Sequence, residues 1–301
     1  MDHRAQGVSR PMKISLSALL LLAAVPAADA ATIAAHRATY DLKLVRAGDS
    51  AQLSAVYGRW VIEIQGSACE GWNVTSRMVN QYSPVEGAPS TVDIQSSAFE
   101  SGDALRMEYS KQEFVDRKLK EEASIKISRP SADAEAAGAA GQGGGKLFTV
   151  PAGAVFPIQH QLSVMDKAEK GETRHASLLR DASLLYEGSD GATTYSAITF
   201  IGRRKEAGSN SRDNANSEAK PLGAFPSWPI SISYYSTTAD DQETPNYQIG
   251  FDLYSNGVAT GLRLDYGNFV LGGELAKFEM LKSDPCESEL VPTTGLEPVT
   301  P

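Results

Sequence analysis

The chain has 301 residues, 37 of them acidic and 28 basic, a formal charge of −9 and 42% hydrophobic residues. That is enough for a sizeable core in one large all-β domain. The acidic balance argues against nucleic acid, which needs clustered Lys and Arg, and against a general attraction to anionic lipid.

Residues 1–30 read as an export signal cleaved near Ala30. Residues 14–25 form an apolar run, and Ala28-Asp29-Ala30 has the small-x-small form of a cleavage site. Met12-Lys13 offers a second start beside Met1. Losing Arg4, Arg10, Lys13, Asp2 and Asp29 with this segment moves the formal charge from −9 to −10. No later segment approaches the ~18 apolar residues of a spanning helix, so no transmembrane segment is expected.

After the signal, Ala38, Tyr40, Leu42 and Leu44 alternate with Thr39, Asp41 and Lys43, the period of a half-buried strand. Trp60, Ile62 and Ile64 predict a second strand; Trp72, Val74, Ser76 and Met78 predict a third after the Cys69-Glu70-Gly71 turn. Residues 92–99 and 105–109 add strands, and 114–127 one or two more, heavily charged at alternate positions as edges often are. Residues 130–146 are Ala- and Gly-rich and predict a flexible insert.

One helix is expected at 157–170, with Pro157 at its start, Ile158, Leu162, Met165 and Ala168 on one stripe, and Gly171 as the stop. His160 falls off that stripe and reads as a polar surface or groove residue rather than a ligand. Strands follow at 175–186 and 193–201 around a turn at 188–191, then a polar, mobile loop at 203–220. Residues 228–235 return to alternation with Ile230, Ile232 and Tyr234 inward.

The densest pattern is 245–286. Tyr247, Ile249, Phe251 and Leu253 alternate, Asn256-Gly257 is a hairpin turn, and Leu262, Leu264 and Tyr266 alternate again. A last run at 269–281 is interrupted by Gly272-Gly273, and 290–301 is a Pro/Thr-rich tail expected to be disordered. About a dozen strands, one helix and no βαβ alternation predict a mainly β, antiparallel barrel-like or sandwich fold, as one continuous sheet.

Cys69 and Cys286 are the only cysteines. In an exported chain they read as one disulfide, closing a loop of more than 200 residues. The spacings of His36, His160 and His175 match no zinc motif, and no G-x-S-x-G occurs. No catalytic, cofactor-binding or metal-binding residue is nominated, and no cofactor is expected. A sheet lined by Tyr, Phe, Leu, Ile and Met encloses either a filled core or a cavity for an apolar ligand; the residues alone favour the filled core.

The chain resembles the cell envelope integrity protein EipB family of exported alphaproteobacterial proteins. The resemblance runs from about Ala35 to Cys286. It is carried by residues 35–42, Tyr57 to Trp60, Cys69-Glu70-Gly71-Trp72, Arg77, Pro151-Ala152-Gly153, Phe156-Pro157, His160, residues 186–190, Trp228-Pro229, Tyr234, Tyr247, Asn256-Gly257-Val258 and residues 265–269. It implies a periplasmic protein with a single spiral-like open β-barrel and one helix, similar to the LolA/LolB-type lipoprotein carriers. It also implies the Cys69–Cys286 bridge and a non-enzymatic role in envelope integrity under stress. Three functions are therefore in view: an integrity factor holding a hydrophobic ligand, lipoprotein or protein partner in its concave sheet; a scaffold for another envelope protein; and a cell-wall hydrolase using a carboxylate pair.

Overall fold

The structure, a computed structural model, describes residues 31–141, 145–179, 194–237 and 244–282. The expected export signal, the 188–191 turn, Cys286 and the 290–301 tail lie outside them. In chain order the elements are β1 (His36–Ala47), β2 (Leu53–Ser67), β3 (Gly71–Pro84), β4 (Ser90–Glu100), β5 (Arg106–Val115), β6 (Lys118–Ser128), β7 (Ala136–Ala140) and β8 (Lys146–Val150). Then come β9 (Ala154–Val155), α1 (Pro157–Glu169), β10 (Arg174–Leu179), β11 (Tyr195–Ile201), α2 (Ser211–Asn214), β12 (Ser227–Ser236), β13 (Tyr247–Tyr254), β14 (Ala259–Asp265) and β15 (Phe269–Met280).

All fifteen strands belong to one sheet, ordered β8 through β1, then β15 back through β9. The sheet is open, with β8 and β9 at its edges, as the mainly β, barrel-like expectation requires. Fourteen strands pair antiparallel; the exception is β9, which runs parallel to β10 with α1 as the crossover between them. A crossover of this kind needs a dozen or more residues, which α1 supplies.

Alternation translates directly into burial. Ala38, Tyr40 and Leu42 of β1 are buried while Arg37, Asp41 and Lys43 are exposed. On the outer face, charged side chains pair across strands, such as Arg59 with Asp41 (2.7 Å) and Arg77 with Asp93 (2.8 Å). Such exposed pairs are worth little individually and mainly keep the outer face in water.

Three expectations need correction. The insert at 130–146 is not merely a flexible connection: it contains β7, hydrogen-bonded between β6 and β8. Its Ala and Gly residues make this possible, because a Cβ on Gly138 would sit 2.2 Å from the Phe148 ring that covers it. The loop at 203–220 is packed rather than free. Asp213 of α2 accepts from Tyr254 Oη (2.5 Å), Thr260 Oγ1 (2.7 Å) and Asn210 Nδ2 (2.8 Å), while Lys205 pairs with Asp252 (2.8 Å). Ala219 and Leu222, in the 3-10 turn that follows, are buried among β1, β14 and β15. Polarity here reflects an internal hydrogen-bond network, not solvation. Finally, β15 runs straight through Gly272-Gly273, where the missing side chains leave room for Val45 and Leu42 of β1.

Among the described residues, buried apolar side chains gather in three groups. One surrounds α1 (Ile158, Val164, Met165) with Trp228, Ile230 and Ile232 of β12 and Leu253 of β13. A second lies under β1, β14 and β15. A smaller third joins Met107, Tyr109, Ile125, Ile127 and Val150 to Phe156 at the head of α1.

Candidate functional site

Helix α1 is held at its start by a residue from the far side of the sheet. Phe156, the N-cap, offers no side-chain hydrogen bond. Instead Ile158 N donates to both carboxylate oxygens of Glu100, at 3.0 and 3.1 Å, and Glu100 is 1% exposed. A carboxylate there satisfies an orphan helix N–H and meets the positive end of the helix dipole. Arg129 sits nearby, its guanidinium 4.5 Å from the Phe156 ring and donating to the carbonyls of Ala104 (2.8 Å) and Ala154 (2.6 Å).

So fixed, α1 roofs a cavity of about 220 Å³ between itself and strands β1, β2 and β12–β14. Pro157, His160, Gln161 and Val164 face it from the helix; Ile62, Ile64, Ile232, Ile249, Phe251, Leu253 and Leu262 supply most of its wall. No Asp, Glu, Lys or Arg is among its lining residues. The filled core favoured by the residues alone is thus not what the fold builds.

The polar side chains on this wall are committed to protein partners. Tyr40 Oη donates to Ala259 O (2.7 Å), Trp60 Nε1 to Ser76 Oγ (2.7 Å), Gln161 Nε2 to Gly257 O (2.7 Å), and His36 Nδ1 to Ala34 O (2.7 Å). His160 Nε2 lies 3.3 Å from Thr199 Oγ1, and the ring stacks on His175 with centroids 5.7 Å apart. Burial, with His175 next to it, lowers the His160 pKa to about 4, so the ring is neutral at pH 7. The surface offered to a ligand is therefore apolar even where the residue names are not.

Of the two places expected for His160, surface or groove, the structure rejects the surface: it is 3% exposed and lines the cavity. The single-stripe reading failed because α1 is covered on more than one side, with His160 and Val164 buried as well as Ile158 and Met165. Glu100, Arg129 and Gln161 were not singled out at all, since lone polar residues in polar stretches carry no local signal. Cys69 stands in the turn between β2 and β3.

A second hollow, about 630 Å³, lies on β4–β6 and is lined by Gln95, Ser97, Ser110, Gln112, Glu122 and Ser124. Its groups pair with one another, as in Ser97–Ser110 (2.8 Å) and Gln112–Glu122 (3.0 Å). Although larger, it lacks the convergence of apolar side chains that marks a ligand cavity, so the smaller space under α1 is the candidate site. Among the described residues no group of three or more His, Cys, Asp or Glu is placed to hold a metal ion, and no helix is long and apolar enough to cross a membrane.

A family model described as EipB-like matches residues 27–282. The cell envelope integrity protein EipB of Brucella abortus (strain 2308) is 29% identical over 272 residues, spanning 85% of this chain and 88% of that protein. A crystal structure of a beta-barrel-like protein from Brucella abortus, a domain of unknown function, superposes with a TM-score of 0.74 at 28% identity. It covers 84% of this chain and all of that one.

Proposed function

This chain belongs to the EipB-like family, and on that premise we propose that it is a periplasmic, non-enzymatic envelope-integrity factor that holds an alkyl segment beneath α1. One observation carries the ligand part of this reading: a mostly apolar cavity under α1 whose polar side chains are spent on protein partners. At about 220 Å³ it falls below the ~300–1,000 Å³ of sites for drug-sized molecules, so it accepts part of a chain rather than a whole lipid. The name of the Brucella relative, a cell envelope integrity protein, supports the envelope role, and the export-signal pattern of residues 1–30 supports the compartment.

The test is saturable binding of a brominated alkyl probe, read as quenching of Trp60, against an Ala259→Phe variant that fills the cavity. Binding that weakens about tenfold or more in the variant supports the reading, a loss of roughly 1.4 kcal/mol. Absence of saturable quenching, or an unaffected variant, removes it.

The same reading includes the Cys69–Cys286 bridge. Cys69→Ser should then lower stability by up to about 5 kcal/mol in oxidising buffer, because the closed loop exceeds 200 residues. Free thiols at both positions in non-reducing peptide maps would refute it.

A further inference from the structure

The described residues contain three histidines, His36, His160 and His175, and all three gather at α1 and its cavity. His36 and His160 line the cavity from opposite elements, β1 and α1. His175, on β10, stacks on His160 at an interplanar angle of 22°. His160 also meets Thr199 of β11, so one imidazole ties the helix to the two strands it lies across.

We propose that the cavity is acid-gated: protonation of His160, seconded by His175 and His36, frees α1 from β10 and β11 and releases the alkyl segment beneath it. The release half rests on the proposed ligand reading; the helix half does not. An imidazolium at His160 faces an apolar wall without a carboxylate, and its ring neighbour is another imidazole, His175, rather than an acid. The groups around it give little relief. Tyr40 and Tyr234 share the cavity, Glu100 is held at the helix N-terminus by Ile158 N, and Thr199 brings no charge. Beside His175, Lys167 opposes its protonation and Glu172 favours it, but these two pair with each other at 2.9 Å.

Burial pushes all three imidazoles below their ordinary value, His160 to about 4. With α1 lifted, a solvated His160 would titrate near the ordinary ~6.5. The lifted state therefore binds more protons between those two values, and the closed state loses favour as pH falls from 6.5 toward 4. For His160 alone the opening equilibrium rises about twentyfold between pH 7 and pH 5.

Hydrogen exchange of the full-length mature chain reads this directly, corrected for the pH dependence of intrinsic exchange. Protection of the α1 amides should fall about twentyfold from pH 7 to pH 5, with β2–β4 changing little. In His160→Gln the fall should shrink to under about threefold. An unchanged α1 in the native chain, or the same fall in the variant, overturns the gate. NMR titration of the native His160 ring needs no variant: a midpoint near 4 supports the gate and one near 6.5 overturns it. The brominated alkyl probe supplies the second arm. Release at pH 5 supports the full proposal, and retention at pH 5 overturns the release half. A probe that never binds at pH 7 defeats the ligand reading while the exchange result still decides the helix.

Discussion

The strands on either side of β1 and β2 obey the same alternation and build different interiors. In β12 the inward residues Trp228, Ile230, Ile232 and Tyr234 are apolar or aromatic from end to end. In β5 they begin as Met107 and Tyr109 and then reach Lys111, whose side chain is 4% exposed and pairs with Glu121 (2.9 Å) and Glu113 (3.5 Å). Period two decides which residues point in, but their chemistry decides whether the enclosed space can receive an apolar group. Only the half roofed by α1 has that chemistry along its full depth. The β3–β8 half closes its smaller core against Phe156 and gives the remaining interior to ions and amides.

Substitutions can break this contrast, and their expected effects are unequal. Trp228→Ala strikes the α1 half at a large, 3% exposed side chain and should cost about 4 kcal/mol in guanidinium denaturation. A loss under about 1 kcal/mol would mean that half is loosely packed. Glu100→Ala removes the one carboxylate by which β4 grips α1, leaving Ile158 N unsatisfied and Arg129 with Asp133 as its remaining acidic neighbour. A loss of about 3 kcal/mol is expected, with increased exchange confined first to α1. Gly138→Val drives a side chain into the Phe148 ring and should cost about 2 kcal/mol; a silent change would argue that β7 does not pack as described. Lys111→Met should lose about 1 kcal/mol or less, because Glu121 is 32% exposed and keeps much of its solvation without the pair. A larger loss would show that the polar half is organised around that lysine.

Much of the fold was legible because β1 and β12–β15 carry clean alternation and hydrophobic contrast. β7 was not, since Ala and Gly have neither, and its strand exists only because neighbours on both sides hold it. The β5–β6 hairpin was blurred for a different reason: its turn, Asp116-Arg117, adopts positive φ at both residues without the Asn-Gly that advertises it. At the site, the apolar wall could be anticipated, but inward apolar residues accompany filled and hollow interiors alike. The cavity depends on how far α1 is held off the sheet by Glu100, Gln161 and His160, which are contacts between residues 39 to 96 positions apart.

The sheet order also dictates a sequence of assembly. The strand order is the chain folded back on itself, so its middle supplies the two edges, β8 and β9, and its first and last described strands meet in the centre, with His36 opposite Met280. A chain delivered N-terminus first can zip β1 through β8 as it emerges, yet β1 keeps one side unpaired until β15 arrives. That last pairing bridges more than 220 residues, which makes it slow to find and leaves an exposed strand edge in the interim. Loss of β15 would therefore do more than shorten the sheet: it would cut it into two halves, with the cavity between them.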